Sequence, residues 1–509
     1  MIFRSILYPG EEHGFAATEA PVFFVDLNLD QIVDAITAPK AEYDLKPFFW
    51  TPPGSLEAIR YRHEVMRDLE RDEIFGCLTH FAGRMRRMRE ELERSEKLYY
   101  KQQKQWWFID AVTLYCEAVE SLLGDFDANV PKSRGLHGFR AWLAEYAAGE
   151  NFVGLAQTSR EIKARLAEIE YCLVIRDGSV TVRKYEGEVD YSEAVEETFA
   201  KFAQGEGKDY RVGFPERVEM NHIEAAVLDF VARLHPELFA ELGNFCAEHE
   251  RFIDPIVRAF DREVQFYVSY LAYITPLRTA GLQFCYPRLA ATDKELLGRD
   301  GFDLALAQKL TDAGQKVVCN DFQLTGRERI IIVSGPNQGG KTTFARMFGQ
   351  MHYLANLGCL VPGREVRLLL FDQLFTHFER EERIENLRSK FEDDLTRVHD
   401  ILERATPRSV VVMNESFSTT TLKDAIFIGR QVMRRIIARD LICVFVTFVE
   451  ELSRLSDTTV SMVSTIVPGD PASRTYRVVR RPADGRAYAI AIAEKYRLTY
   501  EALKERVRP

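Results

Sequence analysis

Apolar residues recur every three to four positions through most of the first half of the chain. In "SLEAIRYRHEVMRDL", Leu56, Ile59, Val65, Met66 and Leu69 form one stripe, and Pro53 and Ser55 stand before it as start signals. The spacing predicts a helix opening there. Helical periodicity continues to about residue 170, with breaks at "NVPKSRG" and "GENFVG". Residues 1–50 are more mixed and carry one short helical pattern, "LDQIVDAITA". At 170 the period changes to two. "YCLVIRDGSVTVRKYE" sets Leu173 and Ile175 against Val180 and Val182 across Asp177-Gly178, a strong hairpin signal. This β-rich insert runs to about 218 and includes the polar loop "QGEGKDY". Helical periodicity resumes at "NHIEAAVLDFVARL" and runs to about 275. Two helical arms with a small β insert suggest a lever with a tip.

After "TPLRTAGLQFCYPRLA" the pattern alternates again. "RIIIVSG", "VVVMNES" and "ICVFVT" are short, β-branched, continuous apolar runs separated by helical stretches. Such runs predict parallel strands buried on both faces. The expected organisation is an N-terminal segment (1–50), a helical core or lever (51–170), a clamp-like β insert (171–218), a helical return (219–300) and an α/β domain (301–509). The fold class is thus a C-terminal α/β P-loop NTPase domain preceded by a mainly α-helical lever domain with a small β insert.

The 509 residues are 46% hydrophobic and 28% charged, values of an ordinary globular chain long enough for several buried cores. The net charge of -10 argues against a general polyanion-coating protein, but a local basic face could still meet nucleic acid. None of the eight cysteines lies in a C-x-x-C pair, so reduced core thiols are expected. The start, "MIFRSILYPGEEHG", lacks a secretory pattern. No apolar run approaches the ~20 residues of a membrane span. A cytoplasmic protein without membrane contact is the expectation.

The chemistry concentrates in "GPNQGGKT", Gly335 to Thr342, which fits G-x-x-x-x-G-K-[ST] between a predicted strand and a predicted helix. Gly335, Gly339 and Gly340 let backbone N–H groups converge on phosphate oxygens. Lys341 brings a point charge to the β/γ-phosphates of ATP, and the Thr342 hydroxyl can ligate Mg²⁺. Pro336, Asn337, Gln338 and Thr343 complete the expected nucleotide contacts. The second half of such a site is an acidic strand end, and "VVVMNE" is the candidate. Glu415 fits a general base or water-positioning group. Asn414 occupies the metal position with an amide oxygen, a legitimate hard ligand acting directly or through a water. One negative charge is lost there, which should weaken the metal. The plainer alternative is a structural strand beside an inactive site.

With "FDQLFTHF", "RSKFEDDLTRVHDIL", "VVVMNESFSTTTLKDA" and "FVTFVEELSRL", the P-loop stretch "GPNQGGKTT" resembles the ATPase domain of the MutS family of DNA mismatch-repair proteins. "ADGRAYAIAIAEKY" is similar to that family's late segment. "SLEAIRYRHEVMRDL" and "FYVSYLAYITPL" are similar to the start and end of its lever helices. The resemblance implies an ATPase that closes as a homodimer and probes DNA. Thr420 and Thr421 would reach the partner's nucleotide. Asp372 and Asp394 are further acidic candidates, and Val317 or Val318 would face adenine in place of an aromatic ring. The family's mismatch-recognition and connector domains do not fit within about 50 residues, so mismatch reading is not carried over. The later strand ends Thr447-Phe448 where the family has Thr-His, and Phe cannot hydrogen-bond a phosphate. Together with Asn414 this implies slow hydrolysis.

Other features are weaker. "RMRRMRE" and "KLYYKQQKQWWF" mix cations and aromatics. They are read first as an amphipathic helix with Leu98, Trp106 and Phe108 toward the core. Arg176, Arg183 and Lys184 at the insert tip could touch a duplex backbone. The histidines form no ligand set, His377 and His399 read as ordinary core or surface residues, and no Ser-His-Asp arrangement is defensible. The alternative to a DNA-associated ATPase is a slowly hydrolysing nucleotide switch acting on protein or ribonucleoprotein. An SMC or transporter-type ATPase would need an LSGGQ-like signature, which is not visible.

Overall fold

The structure, a computed structural model, describes residues 3–10, 17–188, 191, 198, 220–379, 390–417, 420–467 and 470–483. Segment 1–50 contributes more than its one periodic stretch. Helices Phe23–Asp26, Leu29–Thr37 and Lys46–Trp50 flank a 3-10 turn over Ala38–Tyr43. The next helix runs Leu56–Leu69, and its Ser55 cap accepts the Ala58 N–H at 3.2 Å, satisfying an otherwise orphan donor. Long helices Asp72–Lys97 and Lys101–Ala128 follow. The two expected breaks fall at Ser133 and Gly149, the caps of Arg134–Ala147 and Glu150–Ala167. Leu98 and Phe108 are buried as expected, but Trp106 is 39% exposed. Positions 106 and 108 are about 200° apart around a helix, so one stripe cannot bury both.

The hairpin pairs Tyr171–Arg176 with Ser179–Lys184, Leu173 opposite Val182 and Ile175 opposite Val180. Asp177 and Gly178 have φ of 49° and 78°, the two left-handed positions of a type I′ turn. Arg176, Arg183 and Lys184 are exposed on this ribbon. "QGEGKDY" lies outside the described residues. The return path is three helices, His222–Leu234, Pro236–Glu248 and Pro255–Thr279, the first opened by a capping box between Asn221 and Glu224.

Beyond Phe284 the chain is α/β. A six-stranded sheet has the order Leu374–Phe378, Val410–Asn414, Ile442–Val446, Ile330–Ser334, Thr459–Val467, Asp470–Arg480. The first five strands run parallel and the last antiparallel. The three apolar runs singled out in the sequence are its centre, with every residue buried. Strand geometry then divides their side chains by parity. Ile331, Val333, Val412 and Val444 enter one core, while Ile330, Ile332, Val411, Met413 and Phe445 enter the other. A separate four-stranded sheet, not anticipated from the sequence, combines Arg288–Ala290, Glu365–Leu369, Leu296–Gly301 and Asn320–Leu324.

The first core also takes in the helical region, from Phe3 through Phe266 to Phe348 on the helix Lys341–Asn356. Polar contacts brace that helix along its length. Gln350 Nε2 donates to Leu27 O at 2.8 Å, and Tyr353 Oη donates to Phe49 O at 2.8 Å. The fully buried Arg62 guanidinium donates to Leu7 O and to Leu357 O just past the helix end, at 3.1 and 2.8 Å. A cation on the last carbonyls also opposes the helix dipole. The helices Leu422–Ala438 and Lys390–Arg404 cover the opposite face, through Val432, Met433 and Ile436 and through Val398 and Leu402.

Candidate nucleotide site

Parallel strands place their C-terminal ends on one edge, and the loops there collect the chemistry. Ile330–Ser334 leads into the Gly-rich loop, and Gly340, with φ of 88°, is the N-cap of Lys341–Asn356. Gly335 has φ of 115°, and a Cβ there would lie 2.6 Å from Ser464 Oγ, so both backbone angle and space require glycine. Gln338 adopts φ of 58° at the loop tip, where it and Asn337 are exposed while Pro336 is buried. The loop therefore sits where an anion meets a helix N-terminus. Thr343 is half-buried in the first turn.

Lys341 is 7% exposed. Its ammonium donates to Gly335 O, Pro336 O and Asn337 Oδ1 at 3.0, 3.1 and 3.3 Å. Burial lowers its pKa, Glu415 opposes that effect and Arg474 adds to it. Thr342 Oγ1 donates to Asn414 Oδ1 at 2.9 Å, joining the loop helix to the end of the central strand. An octahedral Mg²⁺ shell with bonds near ~2.1 Å sets neighbouring oxygens about 3 Å apart. The Thr342 and Asn414 oxygens already have that spacing, so the pair fits the metal. Among the described residues no group of three His, Cys, Asp or Glu side chains gathers to hold a metal. Such a site takes its remaining ligands from phosphate and water.

Glu415 is half-buried, adopts φ of 52° and donates its N–H to Val446 O at 2.9 Å. Thr421 caps the helix Leu422–Ala438. Its hydroxyl accepts the Asp424 N–H at 3.3 Å and donates to Asp424 Oδ2 at 2.7 Å, while Thr420 Oγ1 is 3.5 Å from the same oxygen. Ser418 and Thr419, part of the hydroxyl-rich loop, lie outside the described residues, as does most of "ADGRAYAIAIAEKY". Phe448 is 49% exposed at the strand edge. Asp372 belongs to the opposite edge, ahead of Leu374–Phe378, where Thr406 and Ser409 hydroxyls bind its carboxylate. Its candidacy fails on strand polarity. Val317 and Val318 are half-buried.

Residues 331–506 match the family described as MutS domain V. The chain carries a MutS domain V. Similar curated proteins are the DNA mismatch repair protein MutS of Shouchella clausii (strain KSM-K16), 30% identical over 34% of this chain and 21% of that protein. MutS of Thermosipho melanesiensis (strain DSM 12029 / CIP 104789 / BI429) is 29% identical over 45% of this chain and 26% of its own length. For MutS of Thermotoga petrophila (strain ATCC BAA-488 / DSM 13995 / JCM 10881 / RKU-1) the values are 26%, 55% and 34%. The chain thus covers between about a fifth and a third of the length of these relatives.

The candidate site also gathers residues that carry no signal in the sequence. Arg474 Nε donates to Asn337 O at 3.1 Å, adding a second cation beside the loop. Tyr476, with φ of 59° and 53% exposed, starts beside Gly340, and its carbonyl accepts from Asn320 Nδ2 at 3.2 Å. Ser464 presses its hydroxyl against Gly335. All three come from the last two strands and carry no local signature. His377, Ser416 and Asp394 also meet. Ser416 Oγ lies 2.7 Å from His377 Nδ1, and His377 Nε2 lies 3.3 Å from Asp394 Oδ1. The sequence reading found no Ser-His-Asp arrangement because the three lie on separate elements. No helix among the described residues is long and apolar enough to cross a membrane.

Proposed function

We propose that this chain binds Mg·ATP in its MutS-type domain and hydrolyses it slowly, closing as a homodimer and acting on DNA through the helical region and hairpin. The observation that carries the nucleotide part is the contact between Thr342 and Asn414, which joins the loop and the acidic strand end into one site. In this reading the loop N–H groups and Lys341 bind the phosphates, and Glu415 orients or deprotonates the attacking water. Thr342 and Asn414 hold Mg²⁺, which when bound neutralises phosphate charge. The homodimer, the contacts of Thr420 and Thr421 in trans, and DNA as partner rest on the similarity to MutS proteins. A second reading, a nucleotide switch with little turnover and a protein or ribonucleoprotein partner, is favoured by the uncharged Asn414 and by Phe448 at the strand edge.

The test is ATP binding and turnover with and without duplex, junction and single-stranded DNA. Lys341→Ala should abolish ATP binding, and Glu415→Gln should retain ATP while losing hydrolysis. DNA that neither binds nor changes turnover would remove the DNA-associated reading. Tight ATP retention with negligible hydrolysis would then select the switch.

A further inference from the structure

We infer that His377 is a positioning residue for the hydrolytic step, setting Glu415 in place through Ser416 and Phe417 and itself oriented by Asp394. The inference rests on the ATPase reading above. Its starting point is the backbone after the central strand. Glu415 and Phe417 have φ of 52° and 64°, the left-handed region that residues with a Cβ avoid. Two such residues within three persist only where the surroundings hold them. The Glu415 N–H on Val446 O is one restraint.

His377 supplies the other two. Ser416 Oγ lies 2.7 Å from its Nδ1, and the Phe417 ring stacks on the imidazole with centroids 6.2 Å apart and planes at 27°. One side chain thus grips both residues that follow Glu415. His377 is wholly buried, and Ser416 and Asp394 are each 5% exposed. Such an arrangement offers no substrate access to a nucleophile, so it is read as a clamp.

Nε2 lies 3.3 Å from the Asp394 carboxylate, close enough for a charge–dipole contact but not aligned as a hydrogen bond. Nδ1 and the Ser416 hydroxyl form their hydrogen bond with either tautomer of the ring, because the hydroxyl can donate or accept. Asp394 sits on the helix Lys390–Arg404, whose Arg397 donates to Phe378 O at 3.2 Å. Phe378 is in turn the register partner of Asn414. A short path of contacts thus connects that helix to the turn bearing Glu415.

The test uses the full chain and measures ATP affinity and single-turnover hydrolysis separately. Ser416→Ala and His377→Gln should slow hydrolysis by about 10- to 100-fold with ATP affinity within about twofold, the signature of misplaced groups in the reacting state. His377→Asn keeps a polar amide near the Nδ1 position for Ser416 but loses the ring, so it should recover part of the loss and stay at least about threefold faster than His377→Gln. A purely structural histidine would not separate the two amides in this way. Ser416→Ala removes one oxygen, so it decides the matter if a His377 variant fails to fold. Wild-type rates in Ser416→Ala, losses that follow affinity, or an Asn variant no better than Gln would each overturn the inference. Wild-type turnover no faster than Lys341→Ala would instead overturn the ATPase reading, and the clamp with it.

Discussion

Asn414→Asp restores the missing charge without changing shape, and its effect can be sized from the structure. Asn414 is 8% exposed, and its Oδ1 accepts the Thr342 hydroxyl at 2.9 Å. A carboxylate about 4 Å from a dication, at an effective dielectric near 20, is attracted by roughly 8 kcal/mol. Burying that carboxylate costs several kcal/mol in return. The net gain should be roughly 1–3 kcal/mol, about 5- to 150-fold in Mg²⁺ affinity. Without metal the new charge is buried with the Thr342 hydroxyl as its hydrogen-bond donor, so the metal-free protein should lose about 1–3 kcal/mol of stability. The two effects have opposite signs and come from one substitution. Titrating Mg²⁺ at saturating ATP, with turnover as readout, gives the first. Melting temperatures with and without Mg·ATP give the second. An unchanged Mg²⁺ midpoint together with an unchanged melting temperature would show that position 414 does not face the metal and would refute the reasoning.

Two further outcomes follow from geometry and charge. Gly335→Ala must fit a Cβ 2.6 Å from Ser464 Oγ at φ of 115°; it should cost about 1–3 kcal/mol and weaken ATP binding, and an unaltered affinity in equilibrium titration would count against the loop geometry. Asp261 is 2% exposed, and burial raises its carboxyl from 3.8 to about 6 although the Arg89 guanidinium beside it opposes this. For a carboxyl raised in the fold, the folded state holds the extra proton, so its contribution is fully present below 3.8 and lost as pH rises through about 6. Denaturant unfolding at several pH values should therefore find the wild type losing up to about 3 kcal/mol relative to Asp261→Asn across that window. A gap moving the other way would mean that the ion pair outweighs desolvation.

The parts of the fold legible in the sequence were those written in local periodicity. Ser55 before its apolar stripe, Asp177-Gly178 between alternating strands, and the three β-branched runs each specify an element within a few residues. Trp106 shows the limit of such reading: two apolar residues two positions apart lie about 200° apart on a helix, so only Phe108 faces the core. The four-stranded sheet was hidden for another reason. Its strands, Arg288–Ala290 among them, are short and partly exposed, and their pairing partners lie up to about 80 residues away.

The candidate site divides along the same line. "GPNQGGKT" and "VVVMNE" carry their spacing in covalent order, so Lys341, Thr342, Asn414 and Glu415 are candidates from the sequence alone. Their meeting depends on strand order, which places Ile442–Val446 between the two strands that bear them. Ser464 comes from the strand beside Ile330–Ser334, and Arg474 and Tyr476 come from the edge strand beyond it, and nothing in their neighbourhoods marks them.

By itself the sequence determined the Gly-rich loop, the type of each central strand and the amide at the proposed metal position. These depend on residues close in the chain, whose backbone preferences act before any folding. Only the tertiary structure decided that His377, Ser416 and Asp394 form one buried unit behind Glu415. Each of those side chains is unremarkable in its own segment. Their roles arise because parallel pairing sets His377 beside Met413 in register and a helix is packed across both strands, excluding the water that would otherwise satisfy the imidazole.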